Sequence, residues 1–231
     1  MIIEKILLFF ERNFHQKRIS NFLQNKSIKT IIDIGAHKGE FAQNALKIKG
    51  VEKVISFEPQ KKIYEILNQK FLNNNKVNIN NFALSNKVEK KLMKINKMTA
   101  TSTLNQEINN DSLYFKFKSL LLYQKNSIIS EEEINTTTFD IFFNDRKFDE
   151  NTLLKIDTEG YEYQVLQGSY KKITEVKYVL IENQYSQMYR NVNFQDCHDF
   201  LLKKKFKLLK KFIFPTLHYE DRLYVNTKFE N

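Results

Sequence analysis

The segment Ile31–Phe41, IIDIGAHKGEF, joins an apolar run to a glycine-containing turn and then to a helix-period pattern. Ile31, Ile32 and Ile34 surround Asp33; Gly35, Ala36 and Gly39 follow; then Phe41, Ala42, Ala45, Leu46 and Ile48 recur on one side of a helix. Glycine lets a backbone approach a ligand closely, and a helix start offers free N–H groups. The spacing G-A-H-K-G is not the G-x-G-x-x-G of dinucleotide sites, so a pyrophosphate is disfavoured. Asp33 at the strand's end suits a positively charged ligand instead.

Outward from this turn, apolar runs alternate with helical segments. The spacing predicts strands over Thr30–Ile34, Val51–Phe57, Val77–Leu84, Leu153–Asp157 and Tyr178–Glu182, and a final hairpin of Phe206–Phe212 and Leu223–Asn226. Helices are expected over His37–Ile48, Gln60–Phe71, Thr138–Phe143, Tyr161–Gly168 (closed by Gly168) and Phe194–Lys204. The expectation is an α/β fold with a seven-stranded, mostly parallel sheet, helices on both faces and an antiparallel last strand. One domain is expected over residues 1–231, with an N-terminal helical extension over 1–28 that includes the amphipathic IIEKILLFF. Lys91–Ile95 reads as a short extra strand. The aromatic and basic stretch 105–134 has no clean period, and reads as an insertion that is either a lid or an ordinary packed excursion.

Composition sets the bounds. With 231 residues, 42% hydrophobic and 28% charged, the chain can bury a core and is too apolar for a disordered one. A lone cysteine, Cys197, rules out a disulfide framework and fits a reducing, cytoplasmic setting. No apolar run is long enough to span a bilayer, and no signal-peptide cleavage site is present. The net charge of +10 would attract nucleic acid or other anions, but lysine is plentiful throughout the chain. The densest run, KKKFKLLKK (203–211), reads as a helix end running into a strand with a solvated face.

Acids fall at the ends of several strands. Glu58 closes the second strand at the spacing where a carboxylate accepts ribose hydroxyls, and Pro59 turns the chain away from it. Ala83, Leu84 and Ser85 can line a purine pocket with small side chains and backbone groups. In LLKIDTEGYEYQVLQG (153–168), Asp157 ends a strand and Glu159 lies in the following turn, the place where open α/β sheets bind ligands. Asp157 is the candidate base or orienting acid; Glu159 and Glu182 can share that role or hold a divalent cation with it. The competing reading is helix capping, with Glu162 adding charge near a helix start. Lys155 is expected to snorkel rather than react. His37 can meet the ligand through its backbone, while His198 and His218 stand outside any motif.

IIDIGAHKGEF, ISFEP, NFALSN, TSTL, KIDTEGYEYQVLQG and YVLIEN, in this order and spacing, resemble the FkbM-type methyltransferases from about Thr30 to Asn183, and DRLYVN is similar to the family's last strand. The resemblance implies a Rossmann-like class I methyltransferase fold. It implies S-adenosylmethionine as the cofactor, S-adenosylhomocysteine as its product, and O-methylation of a sugar, glycan or related metabolite. Asp33, Gly35, Gly39 and Glu58 match cofactor positions, Asp157 and Glu159 match the signature acids, and Ser102 of TSTL matches a turn near cofactor or substrate. Two alternatives stay open: an RNA methyltransferase, disfavoured because no base-stacking or base-gripping motif is present, and a non-catalytic module that retains the fold. No DNA partner is expected.

Overall fold

The computed structural model describes residues 14–97, 99–107, 128–184, 189, 191–214 and 219–230. Its strands are β1 (Thr30–Ile34), β2 (Lys53–Phe57), β3 (Val77–Asn80), β4 (Ala83–Leu84), β5 (Glu89–Asn96), β6 (Ile128–Thr137), β7 (Thr152–Ile156), β8 (Tyr178–Gln184), β9 (Phe206–Ile213) and β10 (Tyr219–Asn226). The helices are α1 (Gln16–Leu23), α2 (Glu40–Ala45), α3 (Lys61–Phe71), α4 (Phe139–Phe142), α5 (Glu162–Gly168) and α6 (Phe194–Lys203).

The main sheet has seven strands in the order β3-β2-β1-β7-β8-β10-β9. The first five are mutually parallel, and β10 runs antiparallel to both β8 and β9. Every residue of β7, TLLKI, is buried, as expected of a central parallel strand covered on both faces. Alternation along the strands separates two cores. Ile32, Ile34, Leu154 and Ile156 face α4, α5 and α6 through Phe139, Phe143, Val165, Leu166 and Leu201. Ile31, Leu153 and Leu180 face α1, α2 and α3 through Leu23, Phe41, Ala42 and Leu67. Helices thus cover both faces, and the order reverses between β1 and β7, where a crevice opens at the strands' C-terminal ends.

Two expectations of strand layout need revision. Val77–Leu84 is not one strand: β3 ends at Asn80, and β4 joins a separate three-stranded sheet in the order β4-β6-β5. The second sheet absorbs the foreseen extra strand Lys91–Ile95 as part of β5. Ile128–Ile134, assigned to an irregular insertion, belongs to β6 and pairs antiparallel with β5; residues 108–127 of that stretch lie outside the described residues. IIEKILLFF and His218 also lie outside them.

Gly168 is not a left-handed helix stop. It sits where α5 meets the β4 end so closely that a Cβ would come 1.9 Å from the Ser85 carbonyl oxygen. The basic run is the end of α6 and edge strand β9, with Lys207, Lys210 and Lys211 exposed. Lysines on an edge strand discourage pairing with a foreign strand.

Candidate active site

The loops after β1, β2 and β7 enclose a recess of about 540 Å3 including its open mouth. Of the residues singled out from sequence, Gly35, Glu58, Pro59, Ala83 and Ser102 line it, and so do Asp157 and Glu159. Its apolar wall adds Ile34, Phe57, Leu84, Met93 and Leu104.

Glu58 is almost wholly buried at the end of β2. Its Oε2 accepts the His37 backbone N–H at 2.9 Å, and its Oε1 accepts that of Gln60 at 2.9 Å. Burial pushes its pKa up, to about 7, against the lowering effect of those hydrogen bonds. His37 has a left-handed backbone with φ 46°, which turns its N–H toward Glu58. The His37 ring Nε2 lies 2.9 Å from Thr99 Oγ1, and the Gln60 side-chain amide donates to the Thr99 carbonyl at 3.2 Å. The short 3-10 turn Thr99–Thr101 is thereby fastened over the recess.

Asp33 does not meet the recess. On β1 its side chain points away from Ile32 and Ile34, to the α1–α3 face, where it is fully buried. The register places Asp33 directly beside Lys155 on β7, and Asp157 lies two residues beyond Lys155 on the same side. The Lys155 ammonium consequently stands 3.2 Å from Asp33 and 3.1 Å from Asp157. Lys155 does not snorkel. Burial pulls its pKa down, but the Asp157 and Asp33 carboxylates more than offset this and hold it above its ordinary value. The expected ligand acid is a buried partner of the lysine that supports Asp157.

Three other expected cofactor positions also lie behind the recess wall. Ala36 is buried and does not line it. Gly39 lets α2 approach α3: a Cβ there would fall 2.5 Å from the Phe71 ring and 2.7 Å from Leu67. Ser85 is fully buried, its hydroxyl 2.9 Å from that of Tyr161.

The Asp157–Glu162 turn is braced from several directions. Glu162 Oε1 accepts from the Thr158 and Gly160 backbone N–H groups at 2.9 and 3.2 Å. Thr103 Oγ1 donates to the Glu159 carbonyl at 2.7 Å, and the Asn105 side chain to the Gly160 carbonyl at 2.9 Å. Glu159 takes a left-handed conformation, φ 54°. Carboxylate oxygens of Asp157, Glu159 and Glu182 all lie within 4.8 Å of one another, close enough to surround a divalent cation. The Gln184 side-chain N–H group ties two of them together, 2.7 Å from Glu159 and 3.2 Å from Glu182. Burial, reinforced by the neighbouring Asp157 and Glu159 charges, drives the Glu182 pKa well above the usual carboxylate range. The grouping places a cluster of carboxylates at the border of a largely apolar recess. Cys197 and His198 stay outside it: Cys197 is buried in the α6 core, and the His198 ring Nδ1 lies 2.9 Å from the Tyr224 hydroxyl.

Comparison with known proteins agrees with this geometry. The model of the methyltransferase FkbM domain matches residues 33–208. No curated protein matches the sequence significantly. Among solved structures, the fold is similar to that of a SAM-dependent methyltransferase from Aquifex aeolicus (TM-score 0.50, 9% identity, 94% of this chain and 93% of that one). It is also similar to the tRNA methyltransferase TrmK of B. subtilis (TM-score 0.51, 9% identity, 92% of this chain and 65% of that one). A protein of the NADB-Rossmann superfamily from Streptococcus agalactiae is a third (TM-score 0.50, 11% identity, 93% of this chain and 68% of that one). The chain belongs to the FkbM-domain methyltransferases and is an S-adenosylmethionine-dependent methyltransferase.

Proposed function

We propose that the protein methylates a hydroxyl of a sugar, glycan or related metabolite, with Asp157 as the group that takes the hydroxyl proton. The observation that carries this reading is that Asp157 and Glu159, with the Glu182 carboxylate within 4.8 Å of both, stand in the wall of the first recess.

The residues present fit the cofactor. Each Glu58 oxygen keeps a lone pair after accepting one backbone N–H, which suits the ribose hydroxyls. Phe57, Ala83, Leu84 and Met93 offer an apolar wall to the adenine. Gly35, Pro59 and Ser102 border the same recess, while Asp33, Ala36, Gly39 and Ser85 shape it from behind.

S-adenosylmethionine supplies an electrophilic methyl group on a sulfonium sulfur. With that cofactor bound, Asp157 would accept the acceptor's O–H proton as the hydroxyl oxygen takes up the methyl group that the sulfonium would supply. Lys155 holds Asp157 from one side, and the braced turn fixes its distance from the recess. Holding oxygen and sulfonium in line accounts for much of the acceleration expected of such a site.

Calorimetric titration with S-adenosylhomocysteine tests the first half of the reading: saturable binding is expected, and none would end it. Asp157→Asn tests the second. Transfer from labelled S-adenosylmethionine should fall about 100-fold or more, the scale of general-base catalysis, while cofactor affinity stays nearly intact. An equal loss of both would remove the chemical role. RNA is the second acceptor class, raised by the net charge of +10 and by the fold's likeness to a tRNA methyltransferase. Binding of tRNA that is insensitive to salt would count against it.

A further inference from the structure

A second recess, about 730 Å3 with its mouth, lies beside the 157–162 turn, bordered by Gly160 and Glu162 of that turn and by Glu182. We propose that this recess is the acceptor subsite and that it takes an uncharged, polyhydroxylated ligand, a neutral sugar or glycan. The inference rests on the methyl-transfer reading above and deepens it.

Place is the first argument. Glu182 stands in the wall of this recess, yet its carboxylate lies within 4.8 Å of those of Asp157 and Glu159, which line the cofactor recess. A hydroxyl bound here reaches the proton acceptor without crossing the cofactor recess.

The lining chemistry is the second. Amide side chains of Gln164, Gln184 and Asn191 stand beside the rings of Tyr163 and Phe194. An amide both donates and accepts, as a hydroxyl does, and a ring offers an apolar face to the C–H side of a sugar. Gln184 Oε1 is out of contact with solvent and has no donor among the described residues, while its N–H group is committed to Glu159 and Glu182.

Charge is the third. The acidic residues of the described lining are Glu162, Glu182 and Asp196, and none of that lining is Lys or Arg, in a chain of net charge +10. A phosphate or an RNA backbone placed there would find no cation in that lining, because the nearby Arg222 guanidinium is bonded to Glu220 and stacked on Phe194, whereas a neutral polyol needs none.

The test uses the full chain saturated with S-adenosylhomocysteine and a panel of neutral methyl glycosides and short neutral oligosaccharides, each compared with its phosphate ester and with tRNA. At least one neutral member should shift the side-chain amide NMR signals of Gln164 and Asn191. Its phosphate ester should bind about tenfold more weakly, the scale of one unfavourable charge contact. Gln164→Trp, which fills the recess from α5, should weaken the neutral ligand about tenfold or more and leave S-adenosylhomocysteine affinity within about twofold. Gln164→Leu, milder in volume, should give an intermediate loss. Silence from every neutral member, tighter binding of a phosphate ester or tRNA, or indifference to both Gln164 variants would overturn the subsite while leaving methyl transfer standing. Failure of S-adenosylhomocysteine itself to bind would overturn both.

Discussion

The Lys155 ammonium stands 3.1 Å from the Asp157 carboxylate, with Asp33 3.2 Å away. One buried cation thus joins an acid at the active-site edge to an acid inside the sheet. Removing a partner from a buried pair strands the remaining charges and typically costs about 3–5 kcal/mol. Lys155→Met should therefore lower unfolding stability by roughly that amount in denaturant titrations. Adding Asp33→Asn should restore part of the loss, because one stranded carboxylate is then gone. Strictly additive losses would show that the two residues do not act as a pair.

Glu58 should make the free protein and its cofactor complex respond oppositely to pH. Burial raises its pKa to about 7 from an ordinary 4.5, so the folded state holds the proton more tightly than the unfolded state does. Its contribution to stability is complete below 4.5 and is lost as pH rises toward about 7. In the proposed site the carboxylate form accepts the ribose hydroxyls, so affinity for S-adenosylhomocysteine should strengthen as pH rises through about 7. Glu58→Gln should weaken binding about 10- to 100-fold, the range for hydrogen bonds to a charged group, and flatten the pH response. A pH response that survives this substitution would assign it to another group.

What could be read before folding was whatever local spacing controls. Strand-end acids announce themselves by following apolar runs, so Glu58, Asp157 and Glu159 are found at the recess as expected. Asp33 looked equivalent, but its direction is decided by alternation along β1 and by register with Lys155, a residue 122 positions away (155 − 33). The supports of the 157–162 turn are equally remote: Thr103 and Asn105 bond Glu159 and Gly160 across 56 and 55 positions. Val77–Leu84 misled because its apolar pattern runs on past Asn80, whereas the chain leaves one sheet there and enters another. The second recess had no sequence signal, since its amides and rings come from β8, α5, the chain before α6 and the start of α6.

Chelation probes the three-carboxylate cluster. Its oxygens are close enough for a divalent cation, but Lys155 already serves Asp157, and Gln184 serves Glu159 and Glu182. Turnover should therefore survive a chelator, and added Mg2+ should not raise Tm. A chelator-dependent loss restored by Mg2+ or Mn2+ would give the cluster to a metal and leave Lys155 as a competitor for Asp157.

Gly35→Ala should damage catalysis out of proportion to stability. The residue has φ +81°, where an L side chain costs about 1–2 kcal/mol. More important, its Cβ would fall 1.8 Å from the Asp157 carbonyl oxygen, a backbone atom that no rotamer change can move aside. The ends of β1 and β7 must part, lengthening the 3.1 Å bond from the Asp157 N–H to the Ile34 carbonyl and shifting the Asp157 side chain with it. A displacement near 1 Å at a reacting group can cost about 100-fold in rate, so kcat should fall by that order even well below the variant's Tm. Gly168→Ala is the control. Its Cβ would crowd the Ser85 carbonyl at 1.9 Å, behind the recess wall, so it should lower Tm while leaving kcat near the native value at temperatures where the variant is folded. Equal kcat losses in the two variants would show that general loosening, rather than the position of Asp157, limits the reaction.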